Sequence, residues 1–146
     1  MSVNQPPPEW VVVDASFVLR YVLHTQAQKP HAAGLQLLQS VRLIVPALWN
    51  SEIASALVHA ERRGAATPAK VGHALSVIGA LNPMVDTTLV DVNRNLELAR
   101  AYGLSAYDSL YFELALRRKA ALATYDEAMI AAAPVAGIRL YPSPVK

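Results

Sequence analysis

Apolar residues along the chain fall alternately into short β-branched runs and longer stretches with helical spacing. Trp10-Val11-Val12-Val13 is short enough to be a buried strand, and it stops at Asp14. Phe17 to Leu23 then reads as a first helix, and a second is expected from about Pro30 to Ser40 with Leu35, Leu37 and Leu38 inward. Arg42-Leu43-Ile44-Val45 is the second strand. Pro46 is expected to open a helix that runs to about Arg63, with Gly64 closing it. Thr67-Pro68 supplies an N-cap and a first-turn proline for a helix ending near Ala80. After the break at Asn82-Pro83, Met84-Val85-Asp86 is a third strand. Thr88 is expected to cap a helix through Leu89, Val92, Leu96, Ala99 and Tyr102, with Gly103 at its end. Ser105 caps the next, which reaches Lys119. Ala121-Leu122-Ala123-Thr124 is a fourth strand, Asp126 to Ala132 a short helix, and Ile138-Arg139-Leu140-Tyr141 a last strand stopped by Pro142.

Strands alternating with helices predict an α/β sandwich on a mostly parallel sheet. In such sheets ligands bind beyond the carboxyl ends of the strands, where strand order reverses. No repeat or linker divides the chain, so residues 10–146 are expected to form one domain behind a flexible extension, residues 1–9, with Pro6-Pro7-Pro8 extended. At 53% hydrophobic the chain can bury a core, which argues against disorder. It has no cysteine, so disulfides and thiolate metal sites are excluded. No apolar run approaches the roughly 18–20 residues of a membrane span, and no basic n-region precedes an apolar h-region. A cytoplasmic protein is the expectation.

The chemistry lies in where the acids fall. Asp14 and Asp126 stand at or just beyond the carboxyl ends of predicted strands. Asp108 lies in a helix's first turn, and Glu52 early in the helix after the second strand. All four could converge on one edge of the sheet. Two carboxylates about 5 Å apart repel by roughly 3 kcal/mol at an effective dielectric near 20, so such a cluster must bind a cation or partly protonate. Oxygen ligands without His or Cys select Mg²⁺, Mn²⁺ or Ca²⁺ over Zn²⁺. Metal-assisted phosphodiester hydrolysis follows from that ligand set. Net charge is only +2, yet with those four acids set aside thirteen cationic residues face seven acidic ones, a balance of +6. An acidic site in a basic body suits a polyanion. Arg20, Lys29, Arg117, Arg118 and Lys119 are the candidate basic contacts to it.

These segments together resemble a known family. Val12-Val13-Asp14-Ala15-Ser16 is similar to the opening strand and first acid of PIN domains, and Pro46-Ala47-Leu48 with Glu52-Ile53-Ala54-Ser55-Ala56-Leu57 to the helix that carries their glutamate. Leu104-Ser105-Ala106-Tyr107-Asp108-Ser109-Leu110-Tyr111 resembles their third acid segment, and Leu122-Ala123-Thr124-Tyr125-Asp126 their fourth-strand motif. The likeness spans about Trp10 to Tyr141. It implies a three-layer sandwich on a five-stranded sheet in order 3-2-1-4-5. It implies endoribonuclease activity with Mg²⁺ or Mn²⁺, Asp14, Glu52, Asp108 and Asp126 as catalytic metal ligands, and Ser16 and Thr124 as polar support. Compact members of the VapC kind are toxins of toxin–antitoxin pairs, homodimers silenced by a partner protein. Where the family often has asparagine, this chain has Ser55. An antitoxin is expected over Ala54, Leu57 and Val58, and dimerisation there or through Val71–Leu81.

Each acid also has a plainer role. Asp14 and Asp126 could merely cap the helices that follow, Ser105-x-x-Asp108 has the form of a capping box, and Glu52 could lie on a solvated face. Four such coincidences in order are less economical than one site. His24, His31, His59 and His73 lack metal-ligand spacing; His59, seven residues after Glu52, could touch RNA. Trp49 and Tyr107 are read as packing residues, and Glu113 and Glu127 as surface charges. An aspartyl phosphatase would want a second acid where Ser16 stands. A receiver module would want paired acids after the first strand and a lysine where Tyr141-Pro142 follows the last. A catalytically inactive PIN-like subunit that binds RNA or protein keeps the fold and is the remaining rival.

Overall fold

The computed structural model describes residues 9–23 and 33–143. Expectations for the N-terminal extension, His24, Lys29 and His31 therefore lie outside the described residues. In chain order the elements are β1 (Trp10–Val13), α1 (Ala15–Val22), α2 (Ala33–Leu38), β2 (Arg42–Pro46), α3 (Leu48–Arg62), α4 (Pro68–Leu81), β3 (Met84–Asp86), α5 (Val92–Tyr102), α6 (Ala106–Arg118), β4 (Ala121–Ala123) and α7 (Glu127–Val135).

The strands form a parallel sheet in order β3-β2-β1-β4, with Val12 opposite Ile44 on one side and Leu122 on the other. Val11, Val12 and Val13 are all wholly buried. Successive strand residues point to opposite faces, so β1 is covered on both, as an apolar run in a parallel sheet requires. Helix α6 packs on β1, β2 and β4 with α5 beside it, while α1 gathers α2, α3 and α4 into a second group. The chain winds from β1 outward through β2 to β3, then returns to place β4 on the other side of β1. The reversal between β1 and β4 opens a crevice at their carboxyl ends.

Several boundaries differ from the sequence expectation, each for a local reason. Pro46 ends β2 opposite Asp86 rather than opening α3, because a missing N–H is harmless at a strand's end. Thr88 does not cap α5: its N–H is held by Asp86 Oδ1 at 3.1 Å, and Asp91 caps instead by accepting from Asn93 N at 2.6 Å. Leu89, 95% exposed, and Val92 consequently face outward, and Leu37 is more exposed than its partner Leu38. The fifth strand is reduced to one bridge, Leu140 beside Leu122. Leu122 N–H donates to Arg139 O and Tyr141 N–H to Leu122 O, both at 2.9 Å. The position beside β4 is the expected one. Pairing stops there because Pro142 has no N–H and β4 itself is only three residues long.

Glu113 is not a surface charge. It is 8% exposed and accepts from Arg117, which also forks onto buried Asp86, while Arg118 reaches Asp86 Oδ2 at 3.2 Å. Arg117, then its other neighbours, holds the Asp86 carboxyl well below its ordinary value. A lowered folded value contributes stability that is present above the unfolded 3.8 and is lost as pH falls toward the folded value. Breaking a buried pair costs about 3–5 kcal/mol, and both arginines keep solvent contact, which reduces this. Asp86→Asn is therefore expected to lose about 2 kcal/mol in urea unfolding at pH 7, with the deficit shrinking in acid. An unchanged midpoint at pH 7 would show that this cluster does not fasten α6 to the sheet edge.

Candidate active site

A cleft of about 810 Å³ lies at the crevice, and Asp14, Glu52, Asp108 and Asp126 all line it. Each arrives on a different element. Asp14 follows β1, Glu52 lies one turn into α3, Asp108 sits in the first turn of α6, and Asp126 precedes α7. No Lys, Arg or His is among the lining residues, which also include Ser16, Ser51, Ser55, Tyr107 and Tyr125.

The local chemistry separates these acids from ordinary helix caps. Asp14 occupies the N-cap position of α1 but makes no side-chain capping bond. Its Oδ2 instead accepts from the Ser16 hydroxyl and, at 2.9 Å, from Thr124 Oγ1. Its backbone N–H donates to Ala123 O at 2.9 Å, extending the β1–β4 ladder by one residue. Thr124 is a hinge pin between two acids, since its oxygen also accepts from Asp126 N at 3.0 Å. Asp126 does cap α7, accepting from Met129 N at 2.9 Å through Oδ1. Ser105 Oγ caps α6 by accepting from Asp108 N at 3.1 Å. Capping thus coexists with a place in the cleft for Asp126 and Asp108. Tyr125, between Thr124 and Asp126, stacks on Phe17 at 4.7 Å, hydrogen-bonds Tyr21 through its hydroxyl, and lies under the Arg20 guanidinium at 4.4 Å. That clamp fixes the loop carrying Asp126.

Burial raises the Asp14 carboxyl above its ordinary value; the Ser16 and Thr124 hydrogen bonds oppose this, and the charges of Glu52 and Asp126 add to it. Asp108 is also raised, by burial first and then by Asp126 and Asp14. Asp14 thus feels the charges of Glu52 and Asp126, and Asp108 those of Asp126 and Asp14, with no cationic side chain among the cleft's lining residues to compensate. Such a donor set fits a hard divalent cation. Among the described residues no three acids stand close enough to form a ready-made cage. The fit is to a cation that keeps much of its water and takes one or two carboxylates directly, which is how Mg²⁺ is commonly held.

The other predicted contacts divide. Arg20 lies in a second groove that shares Ser16, Leu19 and Ala56 with the cleft and adds His59 and Arg63. Arg63 was missed by sequence reasoning, although Glu52, Ala56 and His59 on α3 and Arg63 at its C-cap mark one stripe at helical spacing. Arg117 and Arg118 line neither groove and are engaged with Asp86. Lys119 ends α6 in a left-handed conformation. Tyr107 is not packed: it is 64% exposed on the cleft wall. Trp49 is buried in the core, as is Leu57, which removes Leu57 from any docking face.

A parallel α/β domain with an acid-lined cleft at its strand-order reversal is a nuclease-type architecture, and the comparisons agree. The PIN domain family model matches residues 11–134, and the chain belongs to the PIN-domain family. PIN domains are generally nucleases. Among solved structures, PAE2754 from Pyrobaculum aerophilum superposes with a TM-score of 0.63 at 23% identity, covering 84% of this chain and 78% of that one. That likeness shows the fold. No curated protein matches the sequence.

A raised carboxyl favours the fold when protonated. Its contribution is most favourable below the unfolded value of 3.8 and is lost as pH rises through the folded value. At neutral pH, with chelator present, Asp108→Asn is thus expected to melt a few degrees above the wild type, and the gain should fade as pH drops to 3.8 and below. Differential scanning fluorimetry across pH checks this; a variant that melts lower at pH 7 in chelator contradicts the repulsion described.

Proposed function

We propose that this protein is a metal-dependent endoribonuclease that hydrolyses RNA phosphodiesters with Mg²⁺ or Mn²⁺, and that it serves as the toxin of a toxin–antitoxin pair. The single observation that carries the nuclease reading is the meeting of Asp14, Glu52, Asp108 and Asp126 in a cleft without a counter-charge. A bound divalent ion would lower the pKa of water and neutralise charge on the scissile phosphate. Asp14 is the best-fixed acid, with Ser16 and Thr124 orienting Oδ2. Asp108 lines the same cleft, and Glu52 or Asp126 serves as the acceptor for a proton from attacking water. Arg20, His59 and Arg63 in the adjoining groove suit the flanking phosphates of a single strand.

The toxin role rests on the resemblance to VapC-like chains and their size. It brings a cognate antitoxin protein, a homodimer and a cytoplasmic setting with it. No helix among the described residues is long and apolar enough to cross a membrane. An antitoxin segment would lie over the partly covered face of α3 near Ala54 and Val58 rather than Leu57. The rival reading, an inactive binding subunit, gains no support from a cleft in which all four acids are present.

Asp14→Asn and Asp108→Asn are each expected to lower Mg²⁺-dependent cleavage of single-stranded RNA at least about 100-fold while the fold persists by circular dichroism. Retained cleavage in both refutes the mechanism. Calcium should support little cleavage, because its looser coordination positions water poorly; equal rates in the two ions would argue against ordered water. Exposed Tyr107 offers a ring to a base. Its stacking would be worth about 1–3 kcal/mol, so Tyr107→Ala should raise KM roughly 5- to 100-fold, and Tyr107→Phe should restore it. An unaltered KM in Tyr107→Ala would leave Tyr107 with no share in RNA binding.

A further inference from the structure

Tyr111 lies three residues after Asp108 on α6, so both share a helical face. Its side chain is wholly buried, yet its hydroxyl has no hydrogen-bond partner. Phenylalanine would fill the same space without a polar atom to desolvate. The other orphaned polar atom of this region is Glu52 Oε1, also buried and also without a partner. The two groups face each other: the phenol lies against the Glu52 carboxylate, and the backbone N–H of Ala15 is beside it. Neither contact closes to hydrogen-bond geometry.

The chemistry of the three groups is complementary. An ionised carboxylate only accepts, a protonated phenol can donate once and accept, and Ala15 N–H is a first-turn donor without an intrahelical acceptor. A small shift of the Tyr111 and Glu52 side chains would close a chain in which Ala15 N–H donates to Tyr111 Oη, and Tyr111 O–H donates to Glu52.

We propose that Tyr111 is a positioning residue that donates its hydroxyl proton to Glu52 Oε1 and so leaves the other Glu52 oxygen for a divalent cation in the cleft. This rests on the nuclease reading above and deepens it. Tyr111 touches neither cation nor RNA; it acts by fixing which oxygen of Glu52 is available and in which direction. Supporting contacts of this kind typically change metal affinity by roughly 10- to 100-fold.

The test measures Mn²⁺ uptake by the purified full chain, from the loss of the free-ion electron paramagnetic resonance signal, for wild type, Tyr111→Phe, Glu52→Ala and the double variant. Tyr111→Phe is expected to weaken Mn²⁺ binding about 10-fold, to raise the Mn²⁺ concentration at half-maximal cleavage by the same factor, and to leave KM for RNA at saturating metal unchanged. In the Glu52→Ala background the Tyr111→Phe change should have no further effect. Equal Mn²⁺ affinity in Tyr111→Phe and wild type, especially with a higher melting temperature, would mean an idle hydroxyl and overturns the inference alone. An equal loss in the Glu52→Ala background assigns Tyr111 a packing role and also overturns it. A wild-type chain that takes up no Mn²⁺ overturns the nuclease reading and this inference together.

Discussion

Four acids held at one edge of a sheet repel one another, and the architecture around them is arranged to withstand that repulsion. Asp14 is nearly buried at the end of the central strand and gives up the capping bond its position offers. Hydroxyls from Ser16 and Thr124 take the place of that bond, and Thr124 ties the next strand's loop to the same carboxylate. Aromatic packing of Tyr125 on Phe17 then fixes the loop. Fold stability and site chemistry pull against each other here, a familiar trade at functional sites.

The sheet explains why the acids meet at all. β1 lies between β2 and β4, so the order reversal falls at its carboxyl end. The acids reach the cleft from the same edge: Asp14 directly, Asp126 from beyond the neighbouring strand, and Glu52 and Asp108 from helices. Opposite in character is the Asp86 cluster on the outer strand. There Arg117 and Arg118 neutralise the carboxylate. Acids with a counter-charge are fasteners, and acids without one are candidates for chemistry.

Much of this was legible in the sequence because it is local. The Val11–Val13 run, the Thr67 and Ser105 caps, the left-handed Gly103 and the placement of four acids after strands or early in helices all depend on neighbours within a few residues. What escaped depends on distant partners. Thr88 looks like a cap until Asp86 claims its N–H, and Glu113 looks solvated until Arg117 and the sheet cover it. Tyr107 and Tyr111 are four residues apart and so on nearly one face of α6, yet one is exposed and the other wholly buried, because the first turn of α6 opens on the cleft while the next turn is covered by the fold. Arg117 and Arg118 read as RNA contacts by charge alone, and only tertiary pairing shows that they are engaged elsewhere. The last strand was correctly located and overestimated in length, since its pattern does not reveal how short its partner β4 is.

The four cleft acids come from opposite ends of the sequence as well as from four elements, and Asp14 is joined to Thr124 only after β4 is in place. While the polypeptide is being synthesised, no emerging fragment that stops before Asp126 carries a complete centre. Closure of the four-acid cleft therefore waits on β4 and the loop after it, however early β1 and α3 leave the ribosome.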